Sequence, residues 1–336
     1  MLPPAVAAGV ARILGEAPRV VRELTSPWAA TTRSVLVSTG AWDAAAPPQF
    51  VVQWSVDPDR DDRAVDRGDR AADRGDRAAD RHGRRAMGRR LRLGRDVARL
   101  APGLPLPELL GGDADGPAPY IVWRFVPGVS GRDLLGNDAD ASLLGTAVGR
   151  AAREIAQIPT AGLRLPRTWG EADRLGTAAR QWLERAGSSV DADTAARVRA
   201  VIERVPSAFA GVRPVFAHGD LAPVNVIIRA GEVGAVIDFE RARLAHPLFD
   251  AAWWLWIVDY HHPARRVAAG GAFLSAAGVD QSEAALVCLD MLAVLQCLEM
   301  LAGTPSSRPA ARREWADRVV HVLDRADGIG DGAMSD

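Results

Sequence analysis

The chain opens on MLPPAVAAGVARILGEAP, whose apolar positions have the spacing of an amphipathic helix. Two short β-branched or aromatic runs follow, Val35-Leu36-Val37 and Phe50-Val51-Val52-Gln53-Trp54, and predict strands separated by a Gly/Pro/Ala turn. The pattern then collapses. Residues 57–85 are nearly all Asp, Arg, Gly and Ala and repeat every seven positions, as DRGDRAA at 66–72 and again at 73–79. A seven-residue period invites a coiled coil, but no position in the repeat carries anything more apolar than alanine, so there is no seam to bury. The expectation is a solvated, mostly disordered insertion. Helical spacing returns over 84–101 through Met87, Leu91, Leu93, Val97 and Leu100, until PGLPLPELLGG ends it. Tyr120 to Val126 predicts another strand, and Pro127-Gly128 a break. Beyond the break the pattern is mostly helical. The exception is residues 214–240, where VNVIIR and AVIDF read as strands joined by AGEVG. A smaller sheet-rich region at 1–126 and a larger helical region at 127–336 follow from this layout.

Composition changes the picture in three places. With 336 residues, 48% of them hydrophobic, the chain can bury two unequal cores. The net charge of −1 calls for neither nucleic acid nor an anionic membrane; the arginine-rich stretch 81–95 follows alternating Asp and Arg and has no interleaved aromatics. All 41 basic residues are arginine, so any mechanism requiring a lysine is excluded. Cys288 and Cys297, nine positions apart in one apolar helical stretch, predict buried reduced thiols and not a disulfide or zinc site. The start of the chain lacks a signal-peptide pattern, and the most apolar run, Ala251 to Val258, is too short to span a bilayer. A cytoplasmic protein is expected.

The chemistry concentrates in His218-Gly219-Asp220-Leu221-Ala222-Pro223-Val224-Asn225, which fits H-x-D-L-x-x-x-N. Phosphoryl transfer needs a carboxylate to receive the acceptor hydroxyl's proton, a role for Asp220, and an oxygen ligand for magnesium on the same loop, a role for Asn225. Thirteen residues further on, Asp238-Phe239-Glu240 ends an apolar strand, where an aspartate can chelate the metal that bridges nucleotide phosphates. Taken singly, His-Gly-Asp could be an ordinary turn, Asn225 a turn closer and Asp238 a cap. In this order and spacing they predict a kinase.

HGDLAPVNV followed by VIDFERARLAHPLFDAAWW resembles the C-terminal signature of the aminoglycoside phosphotransferase family, whose relatives include choline kinases. The resemblance implies an α+β, two-lobed protein-kinase-like fold and a magnesium-dependent transfer from ATP or GTP to a small-molecule hydroxyl, with an aminoglycoside-like antibiotic as one acceptor. It implies Asp220 as base, Asn225 and Asp238 as metal ligands, His218 as a support for the loop, and Asp250 as a residue that fixes local backbone. YIVWRFVPG resembles the family's hinge, placing backbone groups of Arg124 and Val126 against the nucleotide base. The chain departs from the family in its first lobe. Gln53 stands where a strand lysine or arginine contacts phosphate, the matching helix acid is Asp96, and the nucleotide-covering loop, 26–32, has no glycine. Arg92, Arg95 and Arg99 are candidates to supply the missing cation. Trp253, Trp254, Trp256 and Tyr260 form an aromatic cluster beside the acceptor region, with Asp259, Asp290, Glu299 and Glu314 as its candidate acids. The alternatives are a metabolite kinase (choline, homoserine or sugar type) and a nucleotide-binding pseudokinase.

Overall fold

A computed structural model describes residues 1–24, 32–40, 47–55, 72–116 and 118–332. These fall into two compact units, Met1–Gly128 with Gly234–Glu240, and Val129–Val233 with Arg241–Asp336.

The first unit is built on a five-stranded antiparallel sheet. Its strands are β1 (Arg19–Leu24), β2 (Thr32–Ser38), β3 (Phe50–Ser55), β4 (Leu109–Asp113) and β5 (Tyr120–Arg124), in the order β1-β2-β3-β5-β4. Strand alternation divides the sheet between two helices. Helix α1 (Pro4–Leu14) buries Val6 and Val10 with Val35, Val37, Val52, Trp54 and Val122. Helix α2 (Ala72–Leu100) packs Met87 and Leu91 on Ile121, with Leu109 and Trp123 alongside. Gln53 lies between Val52 and Trp54 on β3 and therefore on the face that α2 covers.

Two expectations change here. The first turns of α2 occupy residues read as part of the disordered insertion; residues 56–71 of that insertion lie outside the described set. Alanine and arginine both favour helix. Once Met87, Leu91 and Val97 anchor the C-terminal half, each further turn needs only backbone hydrogen bonds and no apolar face. The segment PGLPLPELLGG also holds a strand: β4 starts two residues after its last proline and pairs with β5, Gly112 opposite Ile121.

The second unit is mainly helical: α3 (Asp138–Ala156), α4 (Ala172–Ala186), α5 (Ala192–Glu203), α6 (Phe249–His261), α7 (Gly271–Ala277), α8 (Glu283–Gly303) and α9 (Pro309–Gly332). Helix α8 is apolar all round because it is the central one, packed on α4, α6 and α9. Among the described helices it alone is long and apolar enough to cross a membrane (mean hydropathy 1.9), and 56% of that window is buried within the protein. Cys288 and Cys297 sit in it as free buried thiols, and burial pushes Cys288 up to about 11.

Short strands carry the loop of interest. β6 (Val129–Ser130) pairs with β8 (Val226–Arg229), and β7 (Val215–Ala217) pairs with β10 (Arg243–Ala245). Ala230 (φ 52°) and Gly231 (φ 81°) both take the left-handed conformation of a tight hairpin turn, so β9 (Glu232–Val236) begins inside the segment read as the turn AGEVG. It ends before Asp238, and Phe239–Arg241 form a 3-10 turn.

Candidate active site

In the second unit the chain leaves β7 through His218, Gly219 and Asp220, makes a 3-10 turn at Pro223–Asn225, and enters β8. The loop's backbone is gripped from α6. Asp250, in the first turn of that helix, accepts the His218 amide on Oδ2 (2.7 Å) and the Gly219 amide on Oδ1 (3.0 Å). Burial pushes the Asp250 carboxyl above its ordinary range, opposed by His218, by these two amides and by Arg243. His218 is fully buried and accepts the Asp220 amide on Nδ1 (3.2 Å), which fixes the ring as a prop under the loop.

Gly219 has φ 85°, and a Cβ there would stand 2.0 Å from the Arg241 carbonyl oxygen, so only glycine fits the turn. That carbonyl is fixed in its turn. Arg243 donates to it through Nε (2.9 Å) while its Nη1 reaches Glu299 (2.9 Å).

The Asp220 carboxylate is held at both oxygens. Asn225 donates through Nδ2 to the Asp220 carbonyl (2.9 Å) and to Oδ2 (3.2 Å), and the Trp253 indole donates to Oδ1 (2.8 Å). These bonds leave the Asn225 carbonyl oxygen out, and that is the atom a hard cation would use. Trp253 makes a contact to Asp220 that its sequence hid, since an aromatic at helical spacing reads as core. The signal was its place three residues after Asp250, on the same face of α6. Its neighbours Trp254 and Trp256 stack instead on Phe273 and Trp315 (5.3 and 5.8 Å).

Asp238, Gln53, Asp96, Arg124 and Val126 lie in the first unit. Asp238 has φ 67°, a strained setting for a residue with a side chain and one that clusters at functional sites. Arg90 of α2 stands 4.0 Å from Asp238 Oδ1 and pairs closely with Glu240; its side chain is 14% exposed. Burial lowers the Arg90 pKa and Asp238 raises it back. Gln53 donates to Ser34 Oγ (3.3 Å) and accepts from Trp123 Nε1 (3.1 Å), so both ends of its amide are engaged within the sheet.

The Arg124 amide is spent on the Glu108 carbonyl (2.8 Å), and its guanidinium pairs with the Glu108 carboxylate (2.5 Å). The Phe125 amide goes to Gln49 (2.9 Å), which leaves Val126 as the next amide along the hinge. Asp96 pairs with Arg99 on an exposed helix surface (3.4 Å), the ordinary fate of a helical carboxylate. Residues 26–31 of the predicted nucleotide-covering loop lie outside the described set.

The four acids read as pocket candidates are all matched by cations. Asp259 meets Arg266 (3.3 Å), His321 (3.4 Å) and Arg325 (3.1 Å). Asp290 pairs with Arg325, Glu299 with Arg243 and Arg241, and Glu314 with Arg318.

A family profile described as "Phosphotransferase enzyme family" matches residues 74–287. No curated protein matches the sequence. Among solved structures, the GDP complex of a mutant aminoglycoside 2′-phosphotransferase-IIIa is 14% identical with a TM-score of 0.63, covering 94% of this chain and 93% of its own. A thermostable mutant of aminoglycoside phosphotransferase APH(4)-Ia, in ternary complex with ADP and hygromycin B, is 15% identical with a TM-score of 0.63, covering 96% and 98%. The macrolide 2′-phosphotransferase MphH from Brachybacterium faecium is 19% identical with a TM-score of 0.58, covering 94% and 98%. At these identities the likeness establishes the kinase-like α+β fold, while the profile spans more than half of the chain. The chain belongs to the phosphotransferase enzyme family.

Proposed function

We propose that this enzyme moves the terminal phosphoryl group of magnesium-bound ATP or GTP to a hydroxyl of a small molecule, with Asp220 as the proton acceptor. In this reading the bond from phosphorus to the nucleotide's bridging oxygen breaks and a bond to the acceptor oxygen forms. The hydroxyl proton passes to the Asp220 carboxylate. The observation that carries the reading is the bracing of Asp220, with a donor on each carboxylate oxygen and its backbone anchored through His218 and Asp250.

Magnesium suits the donors present. In this reading Asp238 would supply a carboxylate and Asn225 an amide oxygen outside its hydrogen bonds, both hard donors of the kind magnesium takes alongside nucleotide phosphates. Among the described residues no group of three or more His, Cys, Asp or Glu forms a metal cage. The bound ion would offset charge on the transferring group, while Asp220 orients the acceptor hydroxyl. Val126 supplies the hinge amide for the base. The ion pairing of Asp259, Asp290, Glu299 and Glu314 removes the argument for a polycationic acceptor that their number alone had offered.

The test is nucleoside-diphosphate release with ATP and with GTP over a panel of an aminoglycoside, a macrolide, a sugar and an amino alcohol. Asp220→Asn should lower turnover by about a thousandfold or more, since the proton acceptor is lost, while nucleotide affinity stays within about twofold. Near-normal turnover by this variant on the acceptor that wild type uses would sink the assignment.

A further inference from the structure

Phosphate entering a partly buried site needs a cation, and this chain has no lysine to offer one. Gln53, at the strand position where the charge is missing, is uncharged and engaged at both ends with Ser34 and Trp123. Among the candidate arginines of α2, Arg92, Arg95 and Arg99 are exposed, and Arg99 is paired with Asp96. Arg90 differs from them. It flanks the buried stripe of Met87 and Leu91, keeps 14% of its side chain exposed, and points its guanidinium at Asp238 and Glu240.

We propose that Arg90 is the cation that binds nucleotide phosphate in this enzyme, held by Glu240 and Asp238 and freed for phosphate when Asp238 takes up the metal. The inference rests on the reading of Asp238 as a metal ligand. Charge counting gives the direction of the exchange. Asp238, Glu240 and Arg90 sum to −1, and Arg89 is the next cation in Arg90's surroundings. A divalent cation on Asp238 would raise that local charge by two and would compete with Arg90 for the Asp238 carboxylate. The guanidinium would then be available to phosphate, which its planar fork of donors suits. Glu240 competes for Arg90 throughout, so it sets the affinity without contacting the nucleotide.

The experiment measures dissociation constants for magnesium-ADP, magnesium-GDP and the phosphate-free nucleosides, with melting temperatures of the nucleotide-free proteins. Wild type is compared with Arg90→Ala, Arg90→Lys and Glu240→Gln. Arg90→Ala should weaken diphosphate binding about tenfold or more, the scale of one charge-assisted hydrogen bond, and leave nucleoside binding unchanged. Arg90→Lys should recover part of the loss. Glu240→Gln should tighten diphosphate binding, because it removes the competitor. A structural latch makes the opposite forecast: Arg90→Ala and Glu240→Gln would both lower the melting temperature and would move affinity in the same direction. Diphosphate binding within twofold of wild type in Arg90→Ala, or weakened binding in Glu240→Gln, overturns the proposal and leaves the kinase reading standing. Failure of the wild type to bind either diphosphate overturns both.

Discussion

Asp220 receives donors from two sources that differ in origin: Asn225 lies on its own loop, whereas Trp253 comes from the helix that also carries Asp250. The indole bond fixes the carboxylate's rotation, so it bears on proton transfer more than on nucleotide binding. Trp253→Phe keeps the ring and deletes the donor. It should lower kcat by about tenfold, a loss of roughly 1–2 kcal/mol of orientation, with nucleotide affinity unchanged and the acidic limb of the pH–rate profile displaced. Trp254→Phe is the control, because that side chain stacks on Phe273 and gives Asp220 nothing. A Trp253→Phe enzyme with wild-type kcat and pH profile would refute the positioning role. The contrast also marks what the sequence can state about single residues. Asp220, Asn225 and Asp238 stand out as candidates because chemistry ties residue type to spacing. Trp253 and Arg90 do not, since each is one of several like residues on a helix, and only the helix's rotation decides which of them turns toward a carboxylate.

At the scale of elements, legibility follows burial. α1, β2, β3 and the C-terminal half of α2 bury one face, and their periodicity predicted them. β1 was missed because its side chains are largely exposed and leave no alternation to read. β7 and β10, of three residues each, are too short to hold a pattern. Helix crossings also depend on single atoms that a hydropathy pattern ignores. α3 crosses the segment leading into α7 at Gly145, where a Cβ would sit 2.2 Å from the Ala269 carbonyl oxygen. Gly176 of α4 has only the tips of the Arg180 side chain near it, at 3.8 Å. The same change should therefore have opposite signs at the two sites. Gly145→Ala should destabilise by about 1–3 kcal/mol, since two helices must move apart. Gly176→Ala should stabilise by up to about 1 kcal/mol through helix propensity. Urea unfolding of both variants decides it, and equal effects would mean that the close crossing at Gly145 is not rigid.

The whole molecule should respond to pH through histidines that the fold keeps neutral. His246 is 6% exposed, and burial lowers its pKa, against a hydrogen bond with the Ala208 backbone that raises it. The ring accepts the Leu248 amide on Nδ1 (3.1 Å) and lies against Phe209 (5.0 Å), so a second proton, on Nδ1, would displace that amide. His261 and His262 are lowered as well, chiefly by desolvation, but they are more exposed and count for less. The sign follows from proton uptake. Below pH 6.5 the unfolded chain binds protons that folded His246 refuses, so stability is complete above that pH and falls as pH drops toward the lowered value. Asp250 and Asp290, raised by burial, act in the opposite sense. The histidine contribution is therefore read from the difference between wild type and a variant that lacks the ring. One histidine that titrates only in the unfolded chain contributes up to about 1.4 kcal/mol per pH unit below 6.5. Wild type should melt several degrees lower at pH 5.5 than at pH 7.5. His246→Asn retains a side-chain acceptor for the Leu248 amide but not the titrating ring, so its melting temperature should depend less on pH whatever its absolute stability. Parallel pH dependences for the two proteins would move the acid sensitivity away from His246 and onto the more exposed pair at the end of α6.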